Sequence, residues 1–192
     1  MTTEDRLKLF ALSAQLAERD LDALEQSLGV DLERSQLTEE KDESYYPQFP
    51  EVVRREAAQM SRYYEVFYCL ERSIRELVRE TLEAAKGVAW WDSAVPEAIR
   101  ESVQRNIDRE RDSGVTMRSE EKLDYTTFGE LGEIVRANWA LFSDTFNSEK
   151  AFPKIMTSLN VLRGPIAHCC PLAEDEVVRL RLTLRDWFRL ME

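Results

Sequence analysis

His168 is the only histidine in 192 residues, and Arg163 stands five positions before it in "NVLRGPIAHCC" (160–170). Arginine is a permanent cation whose planar fork matches phosphate oxygens. Histidine exchanges a proton near neutral pH. The two side chains in one small volume are a minimal kit for cleaving RNA without a metal ion. The imidazole assists a 2′-hydroxyl in attacking the adjacent phosphate or protonates the leaving oxygen, and the guanidinium stabilises the phosphorane-like transition state. Such acid–base help is worth about 10²–10⁴-fold, and one well-placed charge donor about 10²–10³-fold. A single histidine serves as acid or as base, so a second copy of the chain, with its motif face to face with the first, makes a homodimer attractive; C2 is also the commonest symmetry.

The spacing raises a geometric condition. In an unbroken helix, residues five apart are rotated by about 500°, roughly 140° between faces. Gly164 and Pro165 lie between the pair. Proline lacks an amide hydrogen and crowds the carbonyl four residues back, while glycine adds backbone freedom. The expectation is a helix break at Gly164-Pro165 that swings His168 towards Arg163. The same residues also fit an ordinary helix corner, with an arginine paired to a glutamate and a histidine closing the turn.

Glu71, Arg72 and Arg75 can line a site shared with this motif or form a solvated face paired at i,i+3 and i,i+4. Arg75, beside the strongest apolar stripe, is the preferred additional phosphate contact. Asn160, a turn before Arg163, either orients that arginine or lies on the surface. Trp90, Trp91, Trp139 and Trp187 have the faces to stack bases, but beside Leu and Phe at helical spacing they read as core. Cys169-Cys170 read as packing residues rather than a redox pair.

The elements that must hold these residues are helices. Leu9, Leu12, Leu16, Leu21, Leu24 and Leu28 recur at helical spacing before Gly29. An acidic linker with Pro47 and Pro50 follows. The longest periodic segment runs from Glu51 to Lys86, with Val53, Ala57, Met60, Tyr64, Phe67, Ile74, Leu77, Val78 and Leu82 on one stripe and Gly87 as its stop. An aromatic corner at Trp90-Trp91 leads to a helix with Pro96 in its first turn. Residues 112–126 read as a polar loop. Thr127 and Glu130 form a capping box that opens a helix through Phe142. A further helix covers 149–163. The last, from Ala173, has acids in its first turn and arginines later, matching the helix dipole. Nothing alternates as a strand does. The expectation is an all-α fold, a bundle of four to five main helices in residues 45–192, preceded by an N-terminal helical arm and acidic linker in 1–44.

Composition limits the function. The formal charge is −11, with −7 in residues 1–44 and −4 in 45–192. Duplex-binding proteins usually carry a basic footprint, so RNA contact is expected only at a local site. Three cysteines, one histidine and no CxxC argue against a disulfide framework and a zinc site, and no cofactor or metal is expected. A reducing, cytoplasmic location follows. No apolar run approaches the ~20 residues needed to span a bilayer, and no signal peptide is evident. The leucine-rich helix in 1–44 either docks on a protein partner or another protomer, or packs on the bundle.

The order of "YYEVFYCLERSIRELVRE" (63–80), "WW" (90–91), "LDYTTFGELGEIVRANWALF" (123–142) and "LNVLRGPIAH" (159–168) resembles the HEPN superfamily. More narrowly it is similar to the branch found in nuclear mRNA-surveillance endonucleases and their prokaryotic relatives. The resemblance spans roughly 60–192. It implies a dimeric, metal-independent endoribonuclease leaving 2′,3′-cyclic phosphate ends, of a kind common in toxin–antitoxin and antiviral systems. Its arginine and histidine would be Arg163 and His168; Glu71, Arg75 and Asn160 stay possible phosphate or substrate contacts on the reading of the residues alone. Gly164 departs from the polar residue often found after the motif arginine. Cys170 occupies the place of a tyrosine in one toxin subgroup and argues against silencing through that tyrosine. Two other readings stand: a catalytically silent dimerisation or nucleotide/RNA-binding module of a larger regulatory system, and a coiled-coil-like adaptor built on the 51–86 helix.

Overall fold

The computed structural model describes residues 48–192, together with Leu21. The expected N-terminal arm and linker otherwise lie outside the described residues. Helix α1 runs Glu51–Lys86, as its periodicity predicts. It starts after Pro50 and ends at Gly87, whose φ of 67° lies in the left-handed region that glycine adopts without a Cβ penalty. Its buried residues are Phe67, Leu70, Ile74, Val78 and Leu82, spaced by three or four as one face requires. Full burial of each such side chain contributes about 1.5–3 kcal/mol.

The expected stripe is longer than the buried one. Val53 and Tyr64 are exposed, and so is Ala57. The fully buried stripe begins at Phe67; before it Met60 and Tyr63 are half-buried, and Val53, Ala57, Met60 and Tyr64 line an open cleft with Ile166, Cys169 and Pro171.

A 3-10 turn, Gly87–Ala89, and the short helix α2, Trp90–Ala94, make the aromatic corner. Trp90 and Trp91 are buried and meet edge to face, 5.6 Å between ring centres. Helix α3 spans Glu97–Asp112 with Pro96 at its N-cap. The following segment is not simply a polar loop: a 3-10 turn at Lys122–Tyr125 buries Leu123 and Tyr125. Helix α4, Phe128–Ala137, opens on the capping box, with Thr127 Oγ1 accepting from Glu130 N at 3.2 Å and Thr127 N donating to Glu130 Oε2 at 2.6 Å.

The helix expected to continue through Phe142 is divided at Asn138. Its side-chain Nδ2 donates to the carbonyls of Ala94 at 2.8 Å and Ile134 at 2.9 Å, tying α4 to α2. Helix α5, Trp139–Phe142, follows, then α6, Phe152–Ala167, and α7, Glu174–Leu190. Trp187 is buried and Trp139 packs partly buried against the core, both among Phe146 and Phe152. The tryptophans are core residues. No strand occurs among the described residues, and the fold is an all-α bundle. No described helix is long and apolar enough to cross a membrane.

Candidate functional site

Helix α6 passes unbroken through Gly164 and Pro165. The expected break is absent, and the two residues together explain why. A residue before proline is normally driven out of the helical region because its Cβ and amide collide with the proline ring. Gly164 has no Cβ, so much of that collision disappears. Pro165 lies near the helix end and forfeits only its own bond to Val161. The helix then closes through His168 N to Gly164 O at 3.0 Å and Cys170 N to Pro165 O at 2.8 Å. The chain turns at Cys169, the one described non-glycine residue with positive φ, at 55°.

Arg163 and His168 therefore sit at different angles around the end of one helix. Arg163 lines a cleft of about 240 Å³ between α1 and α6. His168 is exposed and is not among the residues lining that cleft. Its imidazole makes no hydrogen bond or ion pair among the described residues. Within one chain the structure does not bring the pair into a shared cleft.

It does bring together Arg163, Glu71 and Arg75. Arg163 Nε donates to Glu71 Oε2 at 3.0 Å. The other oxygen, Oε1, accepts from Arg75 Nη2 at 2.5 Å. Arg75 is held further by Thr126, through Nη1 to Oγ1 at 2.8 Å and Nη2 to the carbonyl at 2.9 Å, and by the Leu123 carbonyl. Thr126, the one buried polar side chain among the described residues, itself donates to the Leu123 carbonyl at 2.7 Å.

The two arginines thus differ in what they have to offer. Arg75 is 11% exposed and has an acceptor for each of its Nη hydrogens. It serves as the anchor of a polar network rather than as an open fork. Arg163 is 38% exposed and uses only Nε within the described residues. Its Nη edge remains for an anion. Glu71, 17% exposed, holds both cations and fixes where that edge points.

Asn160 is exposed and makes no bond to Arg163; its amide lies beside Gly129 on α4. Arg72 is exposed at the cleft rim and pairs with Asp124 at 3.7 Å. The remaining wall is aromatic. Tyr64 and Tyr68, one turn apart on α1, line the cleft while 61% and 58% exposed. The periodicity places Tyr64 on the core stripe and gives Tyr68 no role, whereas both rings are exposed. Their i,i+4 spacing was the available signal. No described cluster of three or more His, Cys, Asp or Glu is placed to hold a metal ion.

A protein-family model described as Swt1-like HEPN matches residues 65–192. The chain belongs to the Swt1-like HEPN family. The match takes in Glu71, Arg75, Arg163 and His168 and covers α1 from Glu65 to the end of α7. Neither the curated proteins nor the solved structures contain a significant match. The residues of the Arg163 cleft, apart from Tyr64, thus lie within the HEPN domain.

Proposed function

We propose that this HEPN domain is a metal-independent endoribonuclease acting in RNA surveillance or defence as a homodimer. The observation that carries the reading is Arg163: a guanidinium fixed through Nε by Glu71, with its Nη edge open to a cleft. That edge holds a phosphate bidentately. His168, at the end of the same helix, is exposed and does not line its own chain's cleft. The catalytic pocket is therefore composite, assembled where two copies of the α6 end meet. One imidazole takes the proton of the 2′-hydroxyl as O2′ bonds to phosphorus. The second gives a proton to O5′ as the P–O5′ bond breaks. The products are a 2′,3′-cyclic phosphate and a 5′-hydroxyl. The N-terminal 1–44 segment would serve as an arm for a protein partner.

A second reading is favoured by one observation, the absence of His168 from the Arg163 cleft: a silent binding or dimerisation module. One experiment separates them. The full chain is incubated with diverse RNAs in EDTA, alongside His168→Ala, and product ends are analysed. Cyclic phosphate ends that disappear in the variant support the endoribonuclease. No cleavage, or equal cleavage by the variant, leaves the silent module. Solution mass tests the homodimer, and a monomer at assay concentration overturns the composite pocket.

A further inference from the structure

We infer that Tyr64 and Tyr68 are the base-binding wall of this site, a stacking platform that seats an unpaired nucleobase beside the phosphate held by Arg163. This deepens the proposed ribonuclease reading and rests on it for the identity of the phosphate. The two rings stand one helical turn apart, 6.2 Å between centres and inclined by 36°. A base sandwiched between them would need centres about 7 Å apart, from two stacking contacts of about 3.5 Å. The platform therefore accepts a base on its outer face.

Exposure supports this role. The large aromatics of the core are packed away, whereas these two tyrosines are more than half exposed and border the same cleft as Arg163 and Arg72. The cleft thus has the two tyrosines along α1 and the open Arg163 guanidinium on α6, which suits a nucleotide: a flat base and a charged phosphate. A duplex would keep its bases stacked inside and leave nothing for the tyrosines, so the ligand is single-stranded RNA.

The charge of the chain makes such a platform necessary. With −11 overall, general attraction to phosphate is unfavourable. Affinity must come from a few local contacts and from stacking, which every base can provide through its π-face. Binding should fall off shallowly with salt, with the slope of about one or two phosphate contacts.

The test uses the full chain carrying His168→Ala, so that cleavage does not consume the ligand. A fluorescent single-stranded RNA of mixed sequence is titrated against this protein and against variants at both tyrosines. Replacement of both by phenylalanine keeps the rings and should hold affinity within about twofold. Replacement of both by leucine keeps apolar bulk but removes stacking, and should weaken binding by about fivefold to over a hundredfold. The solution mass of the leucine variant should be unchanged. Leucine variants that bind like the parent overturn the platform while leaving the ribonuclease reading intact. A leucine variant whose oligomeric mass falls together with its RNA affinity identifies the tyrosines as a protein contact and likewise overturns it. No RNA binding by the parent, with no cleavage by the wild-type chain, overturns both.

Discussion

Glu71 Oε2 accepts a hydrogen bond from Arg163 Nε at 3.0 Å, joining α1 to α6 across 92 positions of sequence. The same carboxylate grips Arg75, so one acidic side chain sets the position of an open cation by way of an anchored one. Glu71→Gln keeps the shape but loses the charge that holds both guanidinium groups. The proposed ribonuclease activity should drop about tenfold or more as the Arg163 Nη edge loses its fixed direction. Stability should fall by about 1–2 kcal/mol. Cleavage rates and urea unfolding check the two effects separately. A variant as active as the parent would remove Glu71 from any positioning role.

Arg75→Met tests the anchor. This guanidinium donates four hydrogen bonds, to Glu71, to the hydroxyl and carbonyl oxygens of Thr126 and to the Leu123 carbonyl. Removing it leaves those acceptors with fewer donors in a nearly dry setting and should cost about 3–5 kcal/mol. If Arg75 instead contacted phosphate directly, the variant would keep its stability and lose RNA affinity. Urea unfolding and oligonucleotide binding, measured on the same preparation, tell the two apart.

Much of the fold was legible because it depends on local rules. The 51–86 helix, its glycine stop, the capping box at Thr127 and the acidic start of α7 each follow from residues within a few positions of one another. The site was less legible. No local pattern announces a glutamate bridging two arginines, one of them on another helix. Tyr64 carried the spacing of a core residue, and only tertiary packing decided that the core ends at Phe67. Gly164-Pro165 misled for a different reason. Each residue alone is a helix breaker, yet the glycine removes the Cβ that the proline ring would meet in the residue before it, and the proline lies close enough to the helix end to forfeit only one bond.

The capping box offers a clean stability measurement. Thr127→Ala removes the side-chain acceptor for Glu130 N and keeps the backbone amide that donates to Glu130 Oε2. A loss of about 1 kcal/mol is expected. Because Thr127 adjoins Thr126, which holds Arg75, the same variant should also slightly loosen the Arg163 cleft. Thermal unfolding gives the first effect, and oligonucleotide affinity the second.

Acid should open the 110–118 segment before the bundle unfolds. Burial pushes the Glu110 carboxyl upward, but side-chain and backbone hydrogen bonds from Arg118, with that residue's charge, bring it below its ordinary value. Arg118 Nε lies 2.6 Å from one oxygen and its amide 2.5 Å from the other. A carboxylate with a lowered folded pKa contributes stability that is present above its unfolded value, about 4.3, and lost as pH falls through the folded one. Hydrogen exchange around Arg118 should therefore rise below about pH 4. Glu110→Gln should show that faster exchange already at neutral pH.

The Gly164-Pro165 pair makes a further demand, one that a two-residue cycle can test. If the helix survives because glycine spares the pre-proline clash, Gly164→Ala should be harmful only while Pro165 is present. Nothing else opposes it, since a Cβ at Gly164 meets no atom within 4 Å outside its immediate neighbours. Gly164→Ala alone should cost about 1 kcal/mol through strain. Pro165→Ala alone should gain about 1 kcal/mol by restoring the amide that can donate to Val161. The double variant should be the most stable of the four proteins, because alanine then adds helix propensity worth up to about 1 kcal/mol with no ring to meet. The coupling energy from urea unfolding should accordingly be favourable and exceed about 1 kcal/mol. Additive effects would mean that the glycine does not relieve the proline. Activity supplies the complementary readout. Arg163 must keep its place against Glu71 in all four proteins, so a cleavage rate that fell as the helix was stabilised would point instead to bending at Gly164-Pro165 during turnover.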